Sequence, residues 1–82
     1  MNGIYVYLIE SVSFPGRRYI GLTRDFQRRL LEHNNGEVDA TWRYKKWKPV
    51  VVLWFDDMKK AERFEEYLKH GSGYTFAKRH FW

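Results

Sequence analysis

The chain has no cysteine among its 82 residues, which excludes a disulfide framework and a thiolate metal site. No apolar run approaches the roughly 18 residues that a membrane-spanning helix needs. The first residues, Met1-Asn2-Gly3, lack a basic segment followed by an apolar one. No secretory signal is read there, and a cytoplasmic protein is expected. Repeats, low-complexity tracts and linker-like stretches are also missing. At this length about 60% of the unfolded chain's surface can be buried. That is enough for one small domain over 1–82 but not for a dinucleotide-binding sheet with a separate substrate lobe. A domain without staples needs a dense core, and six Phe, six Tyr and four Trp can supply it.

Charge of one sign is in excess. Fifteen Lys and Arg against ten Asp and Glu give a net charge of +5. From Arg17 to Lys48 basic residues outnumber acidic ones nine to four, whereas from Pro49 onward the ratio is six to five. Positive charge gathered in one stretch points to a polyanionic partner. A basic, merely solvated surface has the same composition.

The order of elements follows from local signals. Gly3 to Ile9 is rich in β-branched and aromatic residues and predicts a strand. Phe14-Pro15-Gly16 reads as a turn, and Arg17 to Leu22 as a second strand, so the two form a long-looped hairpin. Thr23 or Asp25 caps a helix from about Phe26 to Asn34, which Asn35-Gly36 stops. After a polar stretch from Glu37 to Lys48 comes the continuous apolar run Val50-Val51-Val52-Leu53-Trp54-Phe55. Its length predicts a buried central strand. Asp57 caps a second helix from Met58 to His70, which Gly71 ends, and Gly73 to Trp82 forms one more short helix. The predicted class is α+β, a small three-stranded antiparallel sheet in the order β-β-α-β-α-α with helices packed on it.

Several residues break the pattern of their own element. The second helix carries an apolar stripe at Ala61, Phe64 and Leu68, and Glu65 falls inside it. A carboxylate on a half-buried face costs several kcal/mol unless it is paired with a cation. A salt bridge to a neighbouring Lys or Arg, a rim position that stays wet, or a bound cation would account for it. On the first helix Arg29 and His33 are i, i+4 neighbours on the face of Phe26 and Leu30. A guanidinium there can hold phosphate by two hydrogen bonds, and a His can bind phosphate or exchange protons. An Arg reaching to solvent and a His at the helix end are the structural alternatives. Tyr5 and Tyr7 share one strand face, with Tyr19 on the paired strand; cross-strand packing accounts equally for all three. Thr41 to Lys48 alternates aromatic rings with cations, a composition suited to stacking on bases while neutralising phosphates. The candidates for nucleic-acid contact are Arg17, Arg18 and Arg24, then Trp42, Arg43, Lys45 and Lys46, and finally Lys69.

Together these positions resemble the GIY-YIG endonuclease family. Gly3-Ile4-Tyr5 and Tyr19-Ile20-Gly21 spell its two tripeptides, and Arg29 lies ten residues after Tyr19, followed by His33 and Asn34. Ala61, Glu65, Lys69 and Ser72 are similar to the family's helix bearing a metal-binding glutamate. The resemblance covers nearly the whole chain and is to stand-alone members encoded by bacteria and phages. Its literal tripeptide points to Tyr5; stand-alone members often read Tyr-Val-Tyr-Leu here, which points to Tyr7, the preferred assignment. The larger homing members carry an Asn after the glutamate helix, and this chain has none beyond Asn35.

The resemblance implies a DNA endonuclease that hydrolyses phosphodiesters, with single-stranded, nicked or branched DNA as possible substrates. It implies one Mg²⁺, or Mn²⁺ as a substitute, on Glu65. It places Tyr5 or Tyr7, Tyr19, Arg29 and His33 at the reacting phosphate. One carboxylate suffices for Mg²⁺, which keeps several waters. Arg29 would offset charge on the phosphate. A tyrosine would activate or position the attacking water, although a phenol's ordinary pKa near 10 suits neutral pH poorly. The alternatives are a catalytically silent nucleic-acid-binding module of the same fold and a protein-interaction domain using the aromatic surface. So small a contact area implies little sequence specificity unless the protein dimerises; a monomer or weak homodimer is expected.

Overall fold

The computed structural model describes residues 3–82; the N-terminal reading, which rests in part on Met1 and Asn2, lies outside them. Strand β1 (Ile4–Ser11) is followed by β2 (Arg18–Thr23), helix α1 (Phe26–Asn34), a 3₁₀ turn (Trp42–Tyr44), strand β3 (Trp47–Phe55), and helices α2 (Met58–Lys69) and α3 (Gly71–His80). The three strands form one antiparallel sheet in the order β2-β1-β3. The α+β class and the element order are those the sequence predicts.

The starts of α1 and α2 each carry a side-chain cap. The Asp25 carboxylate accepts the Arg28 N–H at 3.1 Å, and Asp57 accepts that of Lys60 at 3.1 Å, filling donors that no helical carbonyl can reach. Thr23 acts one step earlier: its hydroxyl accepts the Asp25 N–H at 3.2 Å and shapes the turn into α1. The chain leaves α1 through Gly36, at φ 76°, a left-handed conformation that suits glycine.

The faces of β1 divide the domain. Ile4, Val6 and Leu8 point to one side and form a core with Ala61 and Leu68 of α2 and Ala77 of α3. Tyr7 and Ile9 point to the other and pack with Trp47, Tyr19, Phe26 and Leu30. α1 and α2 therefore lie on opposite faces of the sheet.

Two predictions need correction. The run Val50–Phe55 is not the central strand. It belongs to β3, which begins at Trp47 and forms an edge. Its outer face stays open, with Val52 and Trp54 exposed, because α1 covers only part of that side. β3 also carries Pro49, opposite Ile9 where the β1 register shifts, and proline is tolerated on an edge strand where no ladder donor is needed. The central position falls to β1, buried on both faces. The second correction is at the C-terminal end. Gly71, at φ 53°, follows the end of α2 as expected, but the last helix begins there rather than at Gly73 and stops at His80.

Candidate active site

Four of the six predicted catalytic residues gather on the α1 face. Tyr7 stands on the central strand and is completely buried (0%). Its hydroxyl lies 2.8 Å from His33 Nε2, and Arg29 Nε donates to it at 3.4 Å. The Tyr19 ring, on the neighbouring strand, sits 6.2 Å from that of Tyr7 and 5.1 Å from that of His33, centroid to centroid. Arg29 and His33 are one helical turn apart on α1, which aims both at the sheet. Phe26 closes the cluster at 5.5 Å from Tyr7. Gly21 is paired with Tyr7 across the ladder. A Cβ there would meet the Tyr7 hydroxyl at 2.6 Å, so only glycine lets that hydroxyl lie against β2.

Hydrogen bonding ties the cluster down. Arg29 Nη1 pairs with Glu32 Oε1 at 2.9 Å, and a third of its side chain remains exposed (34%). Arg29 is thus the cluster's charged group with a path to solvent. His33 is fully buried, its Nδ1 lying 2.7 Å from Thr41 Oγ1. The loop that brings Thr41 there is clamped by Trp47. The Trp47 indole N–H donates to the Thr41 carbonyl at 3.1 Å, and the Trp47 backbone N–H donates to Asn34 Oδ1 at 2.6 Å.

Burial sets the protonation states. Desolvation, reinforced by the Arg29 cation, pushes His33 down to about 4, so its ring is neutral at pH 7. Desolvation also raises the Tyr7 phenol above its ordinary value, although the Arg29 hydrogen bond pulls the other way. The Arg29 guanidinium is held charged by Glu32 and Tyr7. Tyr7 is therefore a neutral hydroxyl, not a standing phenolate.

Tyr5 shares the face of Tyr7 but not its partners. It lines a shallow hollow with Arg24, Phe26 and Val52, so the hydrogen bonds to Arg29 and His33 belong to Tyr7 alone. Glu65 is on the opposite side of the sheet. Its side chain is largely buried (16% exposed), and its carboxylate is paired with Lys69 Nζ at 2.6 Å. It lines an open hollow with Leu22, Glu62 and Arg63. The two sides approach each other at the β2 edge. Gly21 faces Tyr7, the next residue Leu22 faces the Glu65 hollow, and Tyr19 and Lys69 line one cleft of about 490 Å³ along that edge.

The donor set around Glu65 fits a hard cation and little else. Glu65 presents its carboxylate to an open hollow that the exposed Glu62 and Glu66 also line, with space for waters, as Mg²⁺ accepts. Among the described residues no group of three His, Cys, Asp or Glu is placed to hold a metal ion, which does not suit zinc. Glu65 would hold the ion by displacing Lys69.

The nucleic-acid candidates are dispersed. Arg17 stacks over the Tyr44 ring at 4.6 Å, and Arg18 stacks over Trp82 at 4.9 Å while lying 3.9 Å from Glu10. Trp42 is exposed with Arg43 at 5.4 Å from its ring. Lys45, Lys46, Arg24 and Lys69 are exposed. Sequence reasoning missed Thr41 and Glu32. Glu32 was open to discovery as an i, i+3 partner of Arg29; Thr41, in an irregular loop, sent no periodic signal.

A three-stranded sheet in this order, with the tyrosine–arginine–histidine cluster on one face and helices on both, is the architecture of a GIY-YIG catalytic domain. The model of that domain matches residues 3–77, and the chain belongs to the GIY-YIG family, a family of endonucleases. Among its relatives is the structure-specific endonuclease subunit SLX1 of Candida dubliniensis, 39% identical over 72 residues. That match takes in 79% of this chain but only 25% of the relative, so the chain spans about a quarter of that protein's length. The solution structure of a UPF0213 protein from Bacillus halodurans is similar over 93% of this chain and 80% of that one, with 28% identity and a TM-score of 0.55.

Proposed function

We propose that the chain is a DNA endonuclease domain that hydrolyses phosphodiester bonds with a divalent metal ion, Mg²⁺ or in its place Mn²⁺, held by Glu65. The observation that carries this reading is the hydrogen-bonded Tyr7–Arg29–His33 cluster on one face of the sheet beside Tyr19 of the edge strand β2, with Glu65 on the other face. Nucleases of this family depend in general on a divalent metal. When bound, the ion polarises the scissile phosphate and stabilises the leaving oxygen.

This chain's residues supply the rest. Arg29, a third of whose side chain is exposed, exchanges Glu32 for a phosphate oxygen, placing a fixed positive charge where negative charge develops. That movement uncovers the Tyr7 hydroxyl. Tyr7 then takes a proton from the attacking water while its own proton passes to neutral His33, so no phenolate need exist beforehand. Tyr19, partly exposed in the edge cleft, orients the water or the phosphate. A DNA strand lying along β2 would meet Arg29 and Tyr19 from one face and Glu65 from the other. Arg17, Arg18, Arg24, Trp42, Arg43, Lys45, Lys46 and Lys69 would hold its flanking nucleotides. The domain acts as a monomer or weak homodimer, in the cytoplasm.

The SLX1 relative bears the description structure-specific, which makes branched DNA the first substrate to try beside single-stranded, nicked and duplex forms, each with Mg²⁺, Mn²⁺ or EDTA. Glu65→Ala should lower cleavage by about 10³-fold, the several kcal/mol expected of a lost Lewis acid. DNA affinity should hardly change, because no positive charge is removed. Full activity in that variant, or cleavage by the native protein in EDTA, would refute the metal assignment.

A further inference from the structure

We infer that Thr41 is a positioning residue, fixing His33 in its Nδ1–H tautomer so that Nε2 remains an acceptor for the Tyr7 hydroxyl. The inference deepens the nuclease reading and, for its catalytic part, rests on it.

The direction of each hydrogen bond follows by elimination. Tyr7 Oη has two partners, Arg29 Nε and His33 Nε2. A guanidinium only donates, and Tyr7 is closed to solvent. The phenolic proton can therefore go only to His33 Nε2, which must be bare. A neutral imidazole with a bare Nε2 carries its proton on Nδ1. That N–H points to Thr41 Oγ1 at 2.7 Å, which must accept it. The Thr41 hydroxyl proton is then free to reach the Val38 carbonyl at 3.5 Å. Every donor has an acceptor, and the described residues leave no buried side-chain polar atom unpaired. With the opposite tautomer Nε2–H would face Tyr7, whose own proton would have no acceptor among the side chains that enclose it. An unpaired buried donor costs about 1–3 kcal/mol.

Thr41 can set the tautomer because it is itself immobile. It is 1% exposed, its N–H donates to the Val38 carbonyl at 3.0 Å, and its carbonyl is held by the Trp47 indole. The Arg29–Glu32 pair faces the cluster from α1, and Tyr19 from β2. None of these accepts from His33 Nδ1, so Thr41 is the group that decides.

The consequence for hydrolysis is a proton store. As the water oxygen bonds to phosphorus, one water O–H bond breaks and its proton goes to Tyr7 Oη. The Tyr7 proton moves to His33 Nε2, giving an imidazolium that still donates through Nδ1 to Thr41. The phosphorus–oxygen bond to the leaving group breaks, and that oxygen takes a proton from solvent. His33 returns its proton through Tyr7 once product has left. The Nε2–H tautomer could not receive the proton.

The test combines a spectroscopic reading with three proteins. In the native protein, two-bond ¹H–¹⁵N correlation of His33 should show Nδ1 protonated and Nε2 bare at pH 7; the reverse pattern overturns the inference without any variant. Thr41→Val removes the acceptor and keeps the shape. It should shift the tautomer signals and lower kcat about 10–100-fold, the scale of losing one buried hydrogen-bond partner, with KM unchanged. Thr41→Ser should restore both. Native-like kcat in the Val variant, or a Ser variant as impaired as Val, overturns the inference. A native protein that has the Nδ1–H form but cuts no DNA structure overturns the nuclease reading and the proton store with it, while upholding the role of Thr41 in setting the tautomer.

Discussion

His33 concentrates the chemistry of the α1 face in one ring, and its burial has a thermodynamic signature. Its pKa falls from an ordinary 6.5 to about 4 on folding. Above about pH 6.5 the ring is neutral folded and unfolded, and it contributes no pH dependence. As the pH falls from there toward 4, the unfolded chain binds a proton that the folded one refuses, so stability declines with added acid. The complete loss, reached near pH 4, is on the order of 3 kcal/mol at about 1.4 kcal/mol per pH unit. In denaturant titrations, the stability lost by the native protein between pH 7 and pH 4 should exceed that lost by His33→Gln by that amount. Parallel curves would mean that His33 titrates normally. The sequence singles out this residue by its spacing from Arg29, but not which tyrosine it serves. Tyr5 and Tyr7 have the same face, and a partner 26 residues away separates them. Local patterning carries no record of such a contact.

At the scale of elements, Asn34 acts as a surrogate strand. Its side chain gives Trp47 both halves of a ladder pairing, Oδ1 accepting the Trp47 N–H at 2.6 Å and Nδ2 donating to the Trp47 carbonyl at 3.3 Å. The last residue of α1 thereby fastens the first residue of β3. Asn34→Ala should cost about 1–3 kcal/mol by leaving the buried N–H unpaired. It should also speed hydrogen exchange at the Trp47 amide, measurable by NMR, and loosen the Thr41 loop that Trp47 holds. Unchanged stability would show that water replaces the side chain. Helix limits are legible in the sequence because Asp25, Asp57 and Asn35-Gly36 act on neighbouring backbone. The rank of β3 is not. An apolar run records that side chains avoid water, not that α1 stops short of Val52 and Trp54. Glu65 is half legible: period places it in the stripe, and its Lys69 partner stands one turn on, but its approach to the β2 edge depends on how α2 crosses the sheet.

For the whole molecule, the net charge is +5, and Arg17, Arg18 and Lys69 line the cleft along the β2 edge. Cations held over rings, such as Arg17 on Tyr44 and Arg18 on Trp82, remain free to meet phosphate. Affinity for DNA should therefore fall as salt rises, with a log–log slope of roughly −0.7 per neutralised phosphate on single strands. Filter binding or anisotropy from 50 to 200 mM salt measures it, and a flat response would favour a protein partner over DNA. The chain's basic balance carries this expectation; the placement of Glu65 on the opposite face of the sheet from Tyr7 follows from topology.

Placing β1 between its two partners has a consequence for synthesis. It leaves the ribosome before either neighbour, yet its Tyr7 gains its full enclosure only when Trp47 and the rest of β3 have emerged. A nascent chain that already carries Arg29 and His33 has no third strand to flank them, because pairing β1 with β3 closes a long loop. The Tyr7–Arg29–His33 cluster would thus be enclosed late in translation, once Trp47 has emerged.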